Sequence, residues 1–375
     1  MLAFTPSLGL KKPAQNELAD IDVLNSNMDT IDAVIPLSNM ARQAIINGNF
    51  DVWQRGASFT DPVNAIYTSD RWQHYFLNTG TSAGPITHSR QTVTAGDLPG
   101  STFYYRVQTN GSGSGFGTDN VDQIAQKIEN GVRYLCGDGK KVTVSFCARS
   151  SIPGKRLGVS LQQNYGIGGS NPENISGSTF TLTSTWMKYE FTFTSNTLAD
   201  KLIADTNFLA VFFGFMWGDI YVPVFNSGTP ETYVGTGNID IAQVQVCAGD
   251  VALPFQPRSS ADELALCQRY FEKSYNISVT PGAIASDGAL GWEASGSTFT
   301  GTNVIYKVKK RMNATVTLYS PGTGLPGKIY NQSTNADVAA LPERNGENGF
   351  KAIVNNVGVS ATQLLQVHYT ADAEL

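Results

Sequence analysis

Apolar and polar residues alternate along several segments of the chain, which is the pattern of a β-strand with one buried face. Clusters of Gly, Asn, Ser and Pro separate these segments, as turns do between strands. Another segment, 209–217, is almost continuously apolar, which is typical of a central strand. Many strands with little helix between them predict a β-sandwich, in the form of a jelly roll. The alternating segments are 141–148, 157–161, 186–194 and 239–247.

Near the N-terminus the pattern becomes helical, between residues 16 and 35. Apolar residues recur there at steps of three and four, the a/d spacing of a heptad seam. Two heptads are too short for a stable isolated coiled coil, so the seam must pack on its own domain, on copies of itself or on a partner. Because the segment is terminal and precedes a break at Pro36, we favour attachment and oligomerisation over packing on its own domain. The seam residues are Ile21, Leu24, Met28, Ile31 and Ile35.

A second helix is predicted over residues 259–275. Ser260 and Glu263 have the spacing of a capping box, and apolar residues up to Phe271 follow at helical steps. Two prolines just before the helix mark a linker, so we place a domain boundary there. The rest of the chain is β again, with strands expected at 303–310, 314–319, 350–354 and 364–369.

The fold is therefore expected to be mainly β and to have four parts. These are an N-terminal attachment and oligomerisation segment (1–40), a jelly-roll β-sandwich (41–257), a short linking helix (258–275) and a small C-terminal β-domain (276–375).

The composition excludes several classes of function. The 375 residues include 26 Lys and Arg against 31 Asp and Glu, and only 15% of the chain is charged, compared with about 25% in typical domains. Without a basic run, the chain lacks the electrostatic footprint of nucleic-acid binding. No apolar stretch approaches the length of a membrane span, and the first residues do not resemble a signal peptide. We therefore expect neither nucleic-acid binding nor membrane insertion.

Cysteine and histidine usage gives no sign of redox or metal chemistry. The four cysteines form no C-x-x-C pair, so we expect buried thiols that pack like small apolar residues. The three histidines show no metal-ligand spacing, so no transition-metal site is expected.

Catalysis has equally little support in the sequence. There is no G-x-S-x-G elbow. Glycoside hydrolysis needs only two carboxylates at a set separation, which one sequence cannot reveal. We therefore expect a protein that is not an enzyme, with no catalytic residue. The acids considered for such a pair are Asp70, Asp219, Glu231 and Glu293.

Aromatic residues in a background of Gly, Asn, Ser and Thr indicate a different activity. Sugar rings stack on Trp and Tyr, while short polar side chains bond to their hydroxyls. The candidates for glycan binding are Tyr165, Trp217, Asp219 and Tyr221. Core or turn packing is the alternative for each of them.

Several motifs occur in order along the chain: Leu-Gly-Leu-Lys-Lys-Pro at 8–13, Asn-Gly-Asn-Phe-Asp-Val-Trp-Gln-Arg-Gly at 47–56, Tyr-Thr-Ser-Asp-Arg-Trp at 67–72, Pro-Phe-Gln-Pro-Arg at 254–258 with the run at 263–271, and His-Tyr-Thr-Ala-Asp-Ala-Glu-Leu at 368–375. They resemble motifs of bacteriophage tail-fibre and tail-appendage proteins, and the first looks like fibre N-termini that attach to the virion. The motif residues support the fold more plausibly than a ligand. The middle domain is similar to jelly-roll carbohydrate-binding modules, in which a structural Ca²⁺ is common.

The resemblance implies a homotrimeric fibre or spike on the phage particle, made in the host cytoplasm. It would join tail or baseplate proteins through its N-terminus and attach to host-surface polysaccharide. No cofactor is expected, apart from the Ca²⁺ that the resemblance admits. Two alternatives stay open: a purely structural virion protein, such as an adaptor, head fibre or decoration protein, and a polysaccharide depolymerase spike.

Overall fold

The computed structural model describes most of the chain. Its strands far outnumber its helices, so the mainly β prediction is confirmed. None of its helices has the length and apolar character needed to cross a membrane. The described residues are 3–4, 10–12, 20–33, 43–79, 84–113, 115–232, 235–294, 299–355 and 362–375.

The N-terminal part consists of a short hairpin and the first helix. Strands β1 (Ala3–Phe4) and β2 (Lys11–Lys12) pair antiparallel, and α1 spans Ile21–Ala33. The Asn27 side chain accepts a bond from the backbone N–H of Lys11 and donates one to its carbonyl, both at 2.9 Å. The described seam residues are exposed, and Ile35 lies outside the described residues. Their exposed fractions are 64% for Ile21, 43% for Leu24, 63% for Met28 and 41% for Ile31.

Two antiparallel sheets form the sandwich, as the jelly-roll prediction requires. The five-stranded sheet has the order β10-β9-β12-β7-β4, and the six-stranded sheet has the order β11-β8-β13-β6-β5-β3. The strands are β3 (Ser58–Thr60), β4 (Gln73–Leu77), β5 (Ile86–Thr92), β6 (Phe103–Asn110), β7 (Val121–Glu129), β8 (Lys141–Ser150), β9 (Arg156–Asn164), β10 (Glu173–Thr181), β11 (Met187–Thr194), β12 (Phe208–Trp217) and β13 (Thr236–Ala248). Two short helices, α2 (Gly131–Leu135) and α3 (Val222–Phe225), and a 3₁₀ turn (Asp219–Tyr221) connect them.

The main hydrophobic core lies between these two sheets. Alternate residues of each strand point into it, because successive side chains of a strand face opposite sides. Phe213 of β12 meets Phe146 of β8 edge to face, with ring centroids 5.2 Å apart. The four alternating segments and the continuously apolar segment 209–217 are all strands in the structure.

The linking helix is shorter than predicted and begins differently. Helix α4 spans Ser260–Gln268, and its N-cap is Ser259, whose side chain accepts the N–H of Asp262. The prediction of Ser260 as N-cap is wrong, because Ser259 has the extended backbone and makes the side-chain hydrogen bond of an N-cap. The Glu263 carboxylate, predicted to take part in the cap, accepts a hydrogen bond from the backbone N–H of Asn47. Phe271, predicted as helical, begins a strand.

The C-terminal part folds around a second core in an eight-stranded sheet. The strands are β14 (Phe271–Lys273), β15 (Leu290–Ala294), β16 (Phe299–Ile305), β17 (Thr315–Tyr319), β18 (Lys328–Asn331), β19 (Ala336–Glu343), β20 (Gly349–Asn355) and β21 (Gln363–Asp372). The sheet follows the order β14-β21-β18-β19-β20-β16, and β15 and β17 also pair with β21. The strand expected over 303–310 ends at Ile305, and four of these strands were not predicted: β14, β15, β18 and β19.

The sequence motifs near residues 50, 70, 270 and 370 meet where the sandwich contacts the C-terminal part, a region we call the junction. Arg55 bonds to Asp70 and to Asp372, each at 3.0 Å, and its guanidinium lies 3.6 Å from the centre of the Phe271 ring. The Gln54 side chain donates to the Phe271 carbonyl at 2.8 Å. These motif residues make the contacts that hold the sandwich and the C-terminal part together.

Candidate functional site

Two of the predicted glycan-binding residues lie in the protein interior. The side chain of Trp217 is fully buried against Phe225, and its indole N–H donates to Ser227. Tyr165 is also fully buried and donates its hydroxyl to Glu173 at 2.7 Å. Neither ring offers a face on which a sugar could stack, so for both residues the packing interpretation describes the structure.

The other two predicted residues, Asp219 and Tyr221, lie at the surface in the 3₁₀ turn after β12. Asp219 is exposed and Tyr221 is half-buried. Tyr165 does not join them, because it follows β9 where that strand pairs with the start of β12. The ten residues of β12 separate the two groups, a distance of about 30 Å at about 3.3 Å per residue. The four residues therefore do not form one site.

A different surface combines aromatic rings with amides. We call it the outer face: the side of the five-stranded sheet that points away from the six-stranded sheet. The strand register places Tyr75 beside Gln123, and Phe212 between Ala125 and Ser160. In the next row Ala210 lies beside Gln162, which pairs with Asn174.

The two aromatic rings of the outer face are both half-buried. The ring centroids of Tyr75 and Phe212 are 6.0 Å apart, and the rings are inclined at 53°. The small residues Ala125 and Ser160 flank Phe212 across the neighbouring strands, so its ring stands above the sheet. The Tyr75 hydroxyl donates to the Gln73 side chain at 2.5 Å, which fixes the ring. The pair thus provides an ordered apolar surface.

Neutral polar groups border these rings. The Gln162 amide donates to the Asn174 side chain at 2.9 Å, in the exposed part of the sheet. Gln123 lies on the other side, between Tyr75 and Gly214. Amide groups can both donate and accept hydrogen bonds, as sugar hydroxyls require. The arrangement suits a neutral, hydroxyl-rich ligand.

Helix α3 closes one end of the outer face. Its Phe225 ring lies directly over Gly158 and Gly214, where an added Cβ atom would come within 2.6 and 2.5 Å of the ring. Only glycine leaves room for this contact. Asp219 and Tyr221 precede α3, so they lie at this closed end and not among Tyr75 and Phe212.

The sequence of β12 contains a signal for the outer face, but the apolar character of the whole strand obscures it. Residues 208, 210, 212 and 214 of β12 are Phe, Ala, Phe and Gly, whereas the inward positions are uniformly large. Small residues on one side of a strand indicate that something packs closely or binds there. The strand looked like a continuously buried one, so that side was not singled out.

Two of the four carboxylates considered for hydrolysis are engaged in ion pairs. Asp70 is buried and bonds to Arg55. Glu231 bonds to Lys155 at 3.0 Å and to Arg156 at 2.6 Å. Both are thus held in ion pairs on different elements. The other two candidates, Asp219 and Glu293, are exposed.

The remaining cysteine and histidine predictions can be compared with the structure. All four cysteines are buried and none forms a disulfide, as predicted. His368 is buried, stacks on Tyr275 with centroids 3.7 Å apart, and bonds through its two ring nitrogens to Ser274 and the Ala285 carbonyl. It therefore has a structural role.

Comparisons with known proteins give only distant similarity. No protein-family model matches the sequence, and no curated protein matches it significantly. A putative sugar-binding protein from Bacteroides thetaiotaomicron is 10% identical, with a TM-score of 0.35 over 55% of this chain and 100% of its own. A family 11 carbohydrate-binding module from Clostridium thermocellum is 12% identical, with a TM-score of 0.29 over 51% and 96%.

A third similar structure is the enzymatically active domain of tailspike protein 4 from bacteriophage CBA120. It is 14% identical, with a TM-score of 0.31, and the match covers 55% of this chain but only 21% of the tailspike. With TM-scores this low, none of these similarities assigns a function.

Proposed function

We propose that this chain is a phage tail-fibre or receptor-binding protein whose outer face binds host-surface glycans without covalent chemistry. The observation that carries the proposal is the pairing of Tyr75 and Phe212 above the sheet, with the amides of Gln162 and Asn174 in the neighbouring row. Aromatic rings stack on the C–H faces of sugars, and amides bond to the hydroxyls.

The exposed seam of α1 supports the virion part of the proposal. Its apolar residues lie on a helix with no Lys or Arg, and they remain exposed in the single chain. Burying apolar surface is favourable, so this seam suits copies of itself or a tail or baseplate protein. Three copies per fibre would place three outer faces together and raise avidity without any new contact.

A glycan array probed with the full-length protein tests the proposal. We expect binding to at least one polysaccharide of the host surface. An array without any binding would favour the alternative of a purely structural virion protein. Incubation with the bound polysaccharide, followed by a reducing-end assay, tests the depolymerase alternative, and we expect no product.

The attachment role of the N-terminus needs a separate experiment. A chain that lacks residues 1–40 should keep a folded sandwich and lose incorporation into particles. If the truncated protein still assembles onto virions, the segment is not the attachment site.

A further inference from the structure

Three polar side chains form a cluster in the core between the two sheets. His74 of β4, Asp122 of β7 and His88 of β5 are each at most 1% exposed. Asp122 Oδ1 is 3.1 Å from His74 Nε2 and 3.6 Å from His88 Nε2. One ligand atom from each residue lies within 4.8 Å of the other two. Both sheets therefore contribute to a single buried group of possible ligands.

Hydrogen bonds to the rest of the chain do not satisfy this cluster. His74 Nε2 is within bonding distance of Asp122 Oδ1. However, His74 Nδ1, His88 Nε2 and Asp122 Oδ2 are buried without a hydrogen-bond partner among the described residues. Buried polar atoms are nearly always paired. Three unpaired atoms in one cluster indicate a partner that the polypeptide itself does not provide.

The surroundings of His88 orient its ring for such a partner. Its Nδ1 lies 2.8 Å from the Tyr105 hydroxyl, which in turn lies 2.8 Å from the Thr68 hydroxyl. A histidine that donates its Nδ1 proton to a fixed acceptor presents the lone pair of Nε2, as metal-binding histidines do. His88 Nε2 faces Asp122.

We propose that His74, His88 and Asp122 bind one divalent transition-metal ion of the Zn²⁺ type between the sheets. Donor atoms around tetrahedral Zn²⁺ are about 3.3 Å apart when its bonds are about 2.0–2.1 Å long, and the two observed separations lie on either side of that value. A cavity of about 10 Å³ adjoins the cluster at Asp61, which is room for about one water-sized ligand.

The ion would act as a structural cross-link. It would join β4 and β7 of one sheet to β5 of the other, without any catalytic step. Two nitrogen donors out of three disfavour Ca²⁺, which prefers an all-oxygen site. This makes the site distinct from the Ca²⁺ expected by resemblance.

The test uses the full-length chain without a polyhistidine tag, stripped by a chelator and then given Zn²⁺, Co²⁺ or Ca²⁺ alone. We expect one Zn²⁺ per chain, visible absorption bands from Co²⁺, and no effect of Ca²⁺. Zn²⁺ at about 100 times its Kd should raise the Tm by about 3–6 °C.

Matched variants locate the site. His88→Gln and Asp122→Asn should lose the Zn²⁺, the Co²⁺ absorption and the Tm shift, whereas His368→Gln, which removes a buried histidine elsewhere, should keep all three. Asp122→Asn is nearly isosteric, so it serves if His88→Gln fails to fold. The proposal is overturned if the wild-type chain takes up no Zn²⁺, or if Asp122→Asn binds it as the wild type does.

Discussion

Arg71 and Glu374 form an ion pair across the junction, although 303 positions separate them in the chain. Their side chains are only 1% and 5% exposed. The Arg71 guanidinium also lies 3.5 Å from the centre of the Tyr270 ring. A buried charge is strongly destabilising when its partner is lost. The pair therefore makes the stability of the sandwich depend on the residues that follow β21 in the C-terminal part.

We expect Glu374→Gln to lower the free energy of unfolding by about 3 kcal/mol, because it leaves Arg71 buried without its counter-ion. Denaturant unfolding measures this change. Glu347→Gln is the matched control, since Glu347 forms an exposed ion pair with Lys309 and exposed pairs contribute little. Equal stability of the two variants would contradict the role of the junction.

Asp51 should give the protein a specific pH dependence. Burial and the nearby Glu263 raise the pKa of Asp51 from 3.8 to about 6. The folded state thus binds this proton more tightly than the unfolded state does. The resulting stabilisation is complete below about pH 4 and is lost as the pH rises to about 6.

Asp51→Asn should remove that contribution, so its unfolding free energy should fall less than that of the wild type between about pH 4 and pH 6. Denaturant titrations at several pH values measure both slopes. Identical slopes would show that Asp51 does not titrate in this range.

Charged substitutions in the α1 seam test whether the seam is the interface of an oligomer. We expect Leu24→Asp and Met28→Asp to convert a trimer into monomers, because each places a charge in an apolar interface. Sedimentation equilibrium measures the mass. Asn25→Asp adds the same charge beside the seam and should leave the trimer intact. A trimer that survives Leu24→Asp would exclude the seam as the interface.

The close packing of α3 on the sheet predicts a sharp effect at Gly214. A methyl group there would come within 2.5 Å of the Phe225 ring, so Gly214→Ala should cost about 1–3 kcal/mol of stability through overpacking. Gly346→Ala is the control, because the nearest atom to its added Cβ would be 3.8 Å away. Thermal unfolding of both variants measures the difference in stability. If Gly214→Ala is as stable as the wild type, Phe225 of α3 does not pack on Gly214 as described.

Alternation and the one continuously apolar run predicted five strands of the sandwich: β8, β9, β11, β12 and β13. They did not predict β3 to β7 or β10. Helical spacing gave a wrong prediction at residue 271, because apolar residues at helical steps continue past the end of α4. In the structure Phe271 pairs with β21 and is part of a strand. This pairing is a long-range contact, which local spacing does not encode. The N-cap was misplaced for a simpler reason: two adjacent serines, Ser259 and Ser260, offer the same cap chemistry.

The binding surface was harder to predict than the fold. Trp217 and Tyr165 have the residue types of a sugar platform, but their burial depends on α3 and on the end of β9. Tyr75 and Phe212 come together only because β4 and β12 flank β7 in the sheet. The same limit applies to His74, His88 and Asp122, which come from three strands in two sheets. Strand order sets such neighbours, and spacing along one sequence does not reveal it.

Glycan binding by the outer face can be measured in a paired titration. Calorimetry would compare the wild type, Phe212→Ala and Phe191→Ala against the polysaccharide identified on the array. Phe191 is a partly exposed Phe of the other sheet, so its variant controls for the loss of an aromatic ring. We predict that Phe212→Ala weakens binding at least about tenfold, equivalent to about 1.4 kcal/mol, while Phe191→Ala binds as the wild type does. Equal affinities for the two variants would contradict the account.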